Sequence, residues 1–308
     1  MKKDNNKFRN YKLTASGEER ASVKLNNLTT VWFNTGTLCN LKCQNCYIES
    51  SPTNDRLEYI TSNEVNIFLN EIKEGFPSVG EIGLTGGEPF INPEILTIIT
   101  NILSYNLNLL ILTNGYNILK RHHNYLLDLN NDHPGKMIIR VSLDHHKKEV
   151  HEEHRGQGTF EKTLEEIKWL SDNGFEVSIA GRSLLDESIS SSILAYKNLF
   201  ISYGIKINFD KKDSLVIFPE MTKSENTPEI SIHCWDILKK SPLDQMCSSQ
   251  RMIVKKKGTE VPVVLPCTLL AYDSQFELGT SLNNSDDTVF LNHPNCAEFC
   301  VLGGASCS

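Results

Sequence analysis

The sequence predicts an α/β fold in which six strand–helix units form an open partial barrel, followed by a small cysteine-rich α+β extension. Strand-like and helical segments alternate from about residue 30 to residue 209, which favours a parallel sheet with right-handed crossovers. Six units are too few for a closed eight-stranded barrel. After about residue 212 prolines become frequent, and five of the nine cysteines follow residue 240. We therefore divide the chain into a polar N-terminal extension (1–28), the partial barrel (29–215) and the extension (216–308).

The elements follow in chain order. The predicted strands are short apolar runs, at residues 30–34, 79–84, 107–113, 136–143, 175–180 and 205–209. The predicted helices lie between them, at residues 61–73, 93–105, 116–129, 159–171 and 186–202. A proline in the first turn supports the second helix, and Gly174 ends the fourth as a C-terminal cap.

Composition excludes several classes of function. The chain has 308 residues, 39% hydrophobic and 22% charged, and a net charge of −7, so it lacks the general basic field of a nucleic-acid binder. The basic run 255–257 fits a solvated hairpin tip. No apolar targeting segment opens the chain. The uncharged stretch 95–119 contains many polar residues and divides into a helix and a strand, which favours a buried core over a membrane span. We expect a cytoplasmic protein.

Nine cysteines in tight local groups argue against a disulfide framework and favour metal ligation in a reducing compartment. Cys39, Cys43 and Cys46 lie within eight residues, directly after the first predicted strand. That position is the catalytic edge of a parallel β/α fold. Three thiolates are one short of the usual four for a cubane cluster, so one iron stays open to an external ligand. A zinc knuckle completed by a distant ligand is the alternative.

The C-x3-C-x2-C spacing resembles the signature of the radical S-adenosylmethionine (SAM) superfamily. This resemblance implies a [4Fe–4S] cluster whose open iron binds the amino and carboxylate groups of SAM. It also implies reductive cleavage of SAM to a 5′-deoxyadenosyl radical, which abstracts a hydrogen atom. The family often has an aromatic residue directly before the last cysteine. Here that position is Asn45 and the aromatic residue is Tyr47, which we expect beside the adenine.

A second, independent match follows the second strand. Two glycines permit a tight turn and close backbone approach to a ligand, and the glutamate offers a carboxylate to an ammonium group. By resemblance this is the family's GGEP motif, which binds the SAM amino group. Its residues here are Gly86, Gly87, Glu88 and Pro89.

Later strand ends carry weaker matches. In relatives, polar residues there hold the ribose and carboxylate of SAM, which implies this role for Asn114, Ser142, Arg155 and Arg182. Ordinary loop or capping roles are the alternative for each. Four histidines between residues 145 and 154 form a group that could bind a metal, but we favour structural roles for them.

The tail resembles the SPASM or "twitch" extension of radical SAM enzymes. Cys247 is followed by an apolar stretch, a Lys-Gly turn and Pro266-Cys267, which predicts a β-hairpin that brings Cys247 and Cys267 together. The resemblance implies one auxiliary [4Fe–4S] cluster, and a zinc site is the alternative. Its candidate ligands are Cys247, Cys267, Cys296, Cys300 and Cys307. Cys234, beside a tryptophan, is best explained as a buried hydrophobe, with a hydrogen-atom donor or cluster ligand as alternatives.

These motifs do not specify a reaction, because what the family shares is radical generation. Our first hypothesis is an enzyme that modifies a peptide or protein side chain. The second is an enzyme that acts on a small metabolite, and the third is a non-catalytic iron–sulfur or zinc module. The expected partners are the substrate and an electron donor such as flavodoxin or ferredoxin, without nucleic acid or membrane.

Overall fold

The computed structural model describes residues 7–184, 187–211, 213–221 and 226–305. Its main feature is an eight-stranded sheet, preceded in the chain by the short strand β1 (Ser22–Val23). The strands of the sheet are β2 (Thr30–Asn34), β3 (Glu81–Thr85), β4 (Asn108–Thr113), β5 (Met137–Ser142), β6 (Glu176–Ser183), β7 (Leu215–Pro219), β8 (Gln250–Val254) and β9 (Val263–Leu265). They lie in the order β7-β6-β5-β4-β3-β2-β8-β9.

All neighbours from β7 to β8 pair in parallel, and only the β8–β9 pair is antiparallel. The carboxyl ends of β2 to β7 therefore meet at one edge of the sheet. This confirms the predicted α/β fold with a parallel, partial-barrel sheet.

Helices cover the outer face of this sheet. They are α1 (Ser62–Gly75), α2 (Ile95–Ser104), α3 (His123–Asp132), α4 (Lys148–Arg155), α5 (Thr159–Asp172) and α6 (Ile189–Ser202). Thr61 caps α1 in a reciprocal capping box with Glu64, which fixes where that helix begins. The first residue predicted for the last helix, Asp186, lies outside the described residues. Helix α4 was not predicted, because eight largely polar residues give little periodic signal.

The predicted strand at residues 205–209 is wrong. That segment has no regular structure, and its apolar residues pack on the core: Ile205 is buried, and Phe209 stacks on Phe200. The strand that pairs with β6 is β7, ten residues later. Alternating apolar residues therefore reflected side-chain burial without backbone pairing. Strand β7 also crosses the division predicted at 215/216.

The tail returns to the same sheet. Strands β8 and β9 form the predicted hairpin, with Lys257-Gly258 in its turn, and β8 lies beside β2. The chain continues through the short strand β10 (Val289–Phe290) to a π-helix at Cys296–Leu302. The N-terminal segment packs on this tail, because β1 pairs with β10 and the buried Arg20 forms an ion pair with Glu229.

Two apolar clusters stabilise this arrangement. The larger lies between the sheet and its helices, and the second joins the inner face of the sheet to the tail and includes Trp32, Phe218 and Phe299. The stretch 95–119 contains helix α2 and strand β4, as predicted; the buried residues of α2 belong to the first cluster, and those of β4 are divided between the two. In the described part of the chain, every helix is too short or too polar to span a membrane.

Candidate active site

A cavity of about 160 Å³ lies at the carboxyl edge of the sheet. It brings together most of the residues predicted for SAM and its cluster. Those that line it are Cys39, Cys43, Cys46, Tyr47, Gly86, Gly87, Asn114, Ser142, Arg155 and Arg182. These residues come from the ends of β3, β4, β5 and β6, the loop after β2 and, for Arg155, the end of α4, so the parallel topology explains why most of them meet.

The cysteine loop is anchored to other elements on both sides of the thiols. The backbone N–H of Cys39 donates to the carbonyl of Ser51 (3.1 Å), and that of Gln44 donates to His154 (2.7 Å). Asn45 has a positive φ of 53°, and its carbonyl accepts a hydrogen bond from Arg182. This conformation turns the chain so that Cys43 and Cys46 both face the cavity.

The electrostatic setting of these thiols suits metal ligation. Burial raises the pKa of Cys39 to about 12 and also raises the pKa of Cys43, where Arg155 and Arg182 oppose the effect. A thiol of this kind stays protonated in the metal-free protein, and a bound metal supplies the positive charge that favours the thiolate.

The glycine turn packs tightly against the start of the cysteine loop. Gly87 N–H donates to Gly36 O (2.8 Å). A β-carbon at Gly87 would lie 2.0 Å from the carbonyl oxygen of Leu38, and one at Gly86 would lie 2.5 Å from that of Gly36. Gly86 also has a φ of +140°. The glycines are therefore required for contact between two loops, one of which carries Cys39.

Glu88 and Pro89 are the two motif residues that do not line the cavity. The Glu88 carboxylate is buried and accepts hydrogen bonds from the Thr113 hydroxyl (2.9 Å), Asn114 N–H (2.8 Å) and Phe90 N–H (3.2 Å). Burial raises its pKa to about 7 despite these donors. Glu88 thus joins the end of β3 to the end of β4, and its contact with the SAM amino group stays a prediction.

Asn114 is held by the same network. Its side-chain N–H donates to the Asn40 side chain (2.8 Å), and Tyr116 N–H donates to its side-chain oxygen (2.8 Å). Asn114 Nδ2 also lies 3.7 Å from the sulfur of Cys39. The end of β4 therefore supports the cysteine loop.

Two arginines share one aspartate at the other side of the cavity. Arg155 donates to Asp144 (2.8 Å), and Arg182 lies 3.5 Å from the same oxygen. Burial raises the pKa of Asp144, but the two arginines outweigh it and lower the pKa to about 2. In the described residues, Arg155 Nε and the second oxygen of Asp144 are buried without a hydrogen-bond partner. The trio carries a net positive charge beside the thiols. Asp144 was not predicted as a site residue from the sequence.

An aromatic wall closes the cavity from the tail side. Tyr47 donates its hydroxyl hydrogen to Pro219 O (2.9 Å), contacts Phe218 and Phe299 edge-on, and carries the Arg182 guanidinium 4.6 Å above its ring. Met252 and Leu269 complete the apolar part of the lining. No sequence signal identifies the tail residues in this wall, because isolated apolar residues in a segment with few regular elements have no diagnostic spacing.

A second cavity in the tail is lined by four of the five cysteines predicted for the auxiliary cluster. They are Cys247, Cys267, Cys296 and Cys300. Burial raises the pKa of Cys247 to about 11 and that of Cys296 to about 12. Cys307 lies outside the described residues. The two cavities are adjacent, because Leu269 lines both and the π-helix contributes Phe299 to one and Cys300 to the other.

Cys234 lines neither cavity in the described structure. Its sulfur lies 3.7 Å from the Ser231 hydroxyl, and its side chain packs against the second apolar cluster. This position agrees with a half-buried apolar residue, and the role of hydrogen-atom donor stays a prediction.

The histidine group is held by internal contacts. His145 and His146 converge on Glu187, with His146 Nε2 at 2.9 Å, and Lys147 binds the other carboxylate oxygen at 3.0 Å. The Lys147 N–H donates to His145 Nδ1 (3.0 Å), which leaves the hydrogen of the neutral ring on Nε2, the atom that faces Glu187. These contacts tie the loop after β5 to the loop after β6.

The profile of the radical SAM superfamily matches residues 33–188 of this chain. The antilisterial bacteriocin subtilosin biosynthesis protein AlbA of Bacillus subtilis is 32% identical over 177 residues, which is 57% of this chain and 37% of that protein. The chain spans about two fifths or less of the length of the curated relatives it matches.

Solved structures share the fold at low identity. Streptococcus suis SuiB bound to its precursor peptide SuiA has a TM-score of 0.61 and 15% identity, over 86% of this chain and 66% of SuiB. The structure of anSMEcpe with bound AdoMet has a TM-score of 0.60 and 17% identity, over 89% of this chain and 80% of that one. At this identity the likeness establishes the fold alone.

Proposed function

The chain belongs to the radical SAM superfamily, and on that premise we propose that it cleaves SAM reductively and abstracts a hydrogen atom from a peptide or protein side chain. The observation that carries the proposal is the single cavity that joins three thiols to the ends of neighbouring strands. When bound, the [4Fe–4S] cluster supplies the electron that cleaves SAM, and the resulting 5′-deoxyadenosyl radical removes the hydrogen atom.

The residues that line the first cavity fit a [4Fe–4S] cluster and SAM. Cys39, Cys43 and Cys46 would hold three irons of a bound cluster and leave the fourth for SAM. Arg155 and Arg182 would offset the negative charge of the thiolates and of the SAM carboxylate, because Asp144 is the one carboxylate paired with them among the described residues. The unpartnered Arg155 Nε is a buried donor that still requires an acceptor.

The tail fits an auxiliary [4Fe–4S] cluster. Four cysteines line one small cavity, and four is the usual number of ligands for a complete cluster. Cys307 lies outside the described residues and remains a candidate ligand, and metal analysis decides between iron and zinc. The reductant is an external one-electron donor such as flavodoxin or ferredoxin.

A groove of about 320 Å³ beside the cavity favours a peptide. It shares Tyr47 and Leu269 with the cavity and continues along Leu270 to Asp273. A peptide in this groove can insert one side chain between the aromatic wall and the polar strand ends. The relationship to AlbA, named for the biosynthesis of a bacteriocin, supports the same substrate class.

The deciding experiment follows deuterium from candidate substrates into 5′-deoxyadenosine. Protein reconstituted anaerobically with iron and sulfide is mixed with dithionite, SAM and deuterated peptides encoded beside the gene, with Cys43→Ala as the inactive control. We expect label to arrive from a peptide. Label from a small metabolite, and none from any neighbouring peptide, would favour the second candidate, an enzyme for a small metabolite, for which the limited cavity volume is the supporting observation.

A further inference from the structure

Arg251 is a fully buried arginine that contacts the backbone of Cys247, one of the cysteines lining the second cavity. It lies on β8, four residues after Cys247, and its side chain is among the largest that are completely buried. Its Nε donates to Ser285 O (2.7 Å), and Nη1 donates to Cys247 O (2.8 Å) and Gln250 O (2.7 Å). In the described part of the chain, Nη2 has no hydrogen-bond partner.

The surroundings of this guanidinium are unusual for a buried cation. No carboxylate of the described residues lies within ion-pair distance of it. Burial lowers its pKa to about 10, and the thiols of Cys247 and Cys267 oppose this together with the more weakly acting carboxylates of Asp286 and Asp287. Arg251 thus remains charged at neutral pH, and the negative charges that act on it include two cysteines of the second cavity once they are thiolates.

Arg20, the other fully buried arginine near these cysteines, behaves differently. Its charge acts on Cys296, but Glu229 neutralises it in a direct ion pair, and its other donors are bound to the carbonyls of Asn10, Leu13 and Leu291. Arg251 differs in having no direct ion pair in the described residues and in keeping one buried donor, Nη2, without an acceptor. A buried charge without an ion-pair partner is costly, and the hydrogen bond to the carbonyl of Cys247 places this charge beside a cysteine of the second cavity.

We propose that Arg251 is a positioning residue for the auxiliary cluster, whose charge offsets that of the four thiolates and favours one-electron reduction of the bound iron–sulfur group. The proposal rests on the proposed function of the tail. The added electron comes from the external reductant, which is oxidised, and it increases the negative charge of the buried group. A fixed cation stabilises that reduced state more than the oxidised state.

The test isolates the second cluster in the full-length chain. Cys39, Cys43 and Cys46 are replaced by alanine, and the remaining cluster is titrated by EPR-monitored reduction in this parent and in Arg251→Gln and Arg251→Lys. Arg140→Gln is the matched control, because Arg140 is also a buried arginine but lies on β5, four strands away from β8 in the sheet, against Ser178. Iron content and melting temperature are measured for each variant.

We expect Arg251→Gln to reduce the equilibrium constant for reduction at least tenfold, which is a shift of about 59 mV to more negative potential for one electron. Arg251→Lys and the Arg140 control should remain within about threefold of the parent. Loss of iron in Arg251→Gln but not in Arg251→Lys would also support a role for the positive charge. Unchanged reduction potentials in both Arg251 variants, or loss of iron in both, would overturn the proposal. A parent without iron would show that the proposed auxiliary cluster itself is wrong.

Discussion

Replacing Gly87 by alanine tests how the glycine turn controls the cysteine loop. The new β-carbon would lie 2.0 Å from the carbonyl oxygen of Leu38 and 2.6 Å from its carbonyl carbon. Leu38 directly precedes Cys39, so relief of this contact must displace the cysteine loop. The backbone of Gly87 does not have a positive φ, so the substitution adds a steric contact without torsional strain.

The expected cost follows from overpacking, which typically destabilises a protein by about 1–3 kcal/mol. With about 2.1 cal/mol/K per residue of unfolding entropy, this corresponds to a melting temperature lower by roughly 2–5 °C. Because the displaced loop carries the three cysteines of the proposed cluster, we expect the effect on function to exceed the effect on stability. Iron bound at the first site and the rate of 5′-deoxyadenosine release should both fall at least tenfold, while the tail retains its iron.

Gly80→Ala is the matched control. Gly80 lies between α1 and β3, a β-carbon there has no neighbour within 4 Å, and its φ is not positive. This variant should keep the iron content and the 5′-deoxyadenosine yield of the parent protein. If Gly87→Ala also keeps both within twofold, the contact with Leu38 does not control the cluster and our reasoning about the turn is wrong.

Four further predictions concern the site. Cys43→Ala should lower the iron content from about eight to about four per chain and abolish 5′-deoxyadenosine release, and retained release would exclude radical SAM chemistry. Cys296→Ala should lose about four irons but continue to cleave SAM, whereas Cys234→Ala should keep about eight. Asp144→Asn leaves two buried arginines without their carboxylate, so unfolding in urea should show a loss of about 3–5 kcal/mol, and equilibrium dialysis should show at least tenfold weaker SAM binding. Burial raises the pKa of Glu88 from 4.5 to about 7, so the folded protein retains a proton that the unfolded chain releases, and the free energy of unfolding falls as pH rises through this range. Glu88→Gln should remove that decline in urea titrations of the metal-free protein. An unchanged pH dependence in the variant would contradict this prediction.

Much of the fold was accessible from the sequence because its signals are local. Thr61 and Gly174 mark helix ends through capping, and five of the six predicted strands coincide with paired strands to within a few residues. The error at residues 205–209 arose because burial of alternate side chains does not require a neighbouring strand. The strand β7 was overlooked because only its pairing with β6 distinguishes it from an apolar loop.

The residues of the candidate site differ in the same way in how far the sequence predicts them. Residues with a fixed spacing, such as Cys39 and Cys43, were predictable because metal ligation constrains their separation along the chain. Asp144 and Phe299 were not, since their contacts with Arg182 and Tyr47 join residues distant in sequence. Arg251 was not either, because its burial within the strand β8 depends on tertiary packing. The role of Glu88 lies between these cases: the motif identified the residue, but its hydrogen bonds to the end of β4 depend on the register of two strands.

The position of the π-helix relates the two cavities physically. Successive side chains of this one helix face different cavities, because Phe299 belongs to the aromatic wall and Cys300 to the cysteine-lined pocket. Leu269 separates the two and lies two residues after Cys267. Loss of a ligand in the tail should therefore alter the wall of the first cavity as well. An auxiliary cluster in this position would hold the substrate wall in place in addition to any part it takes in electron transfer.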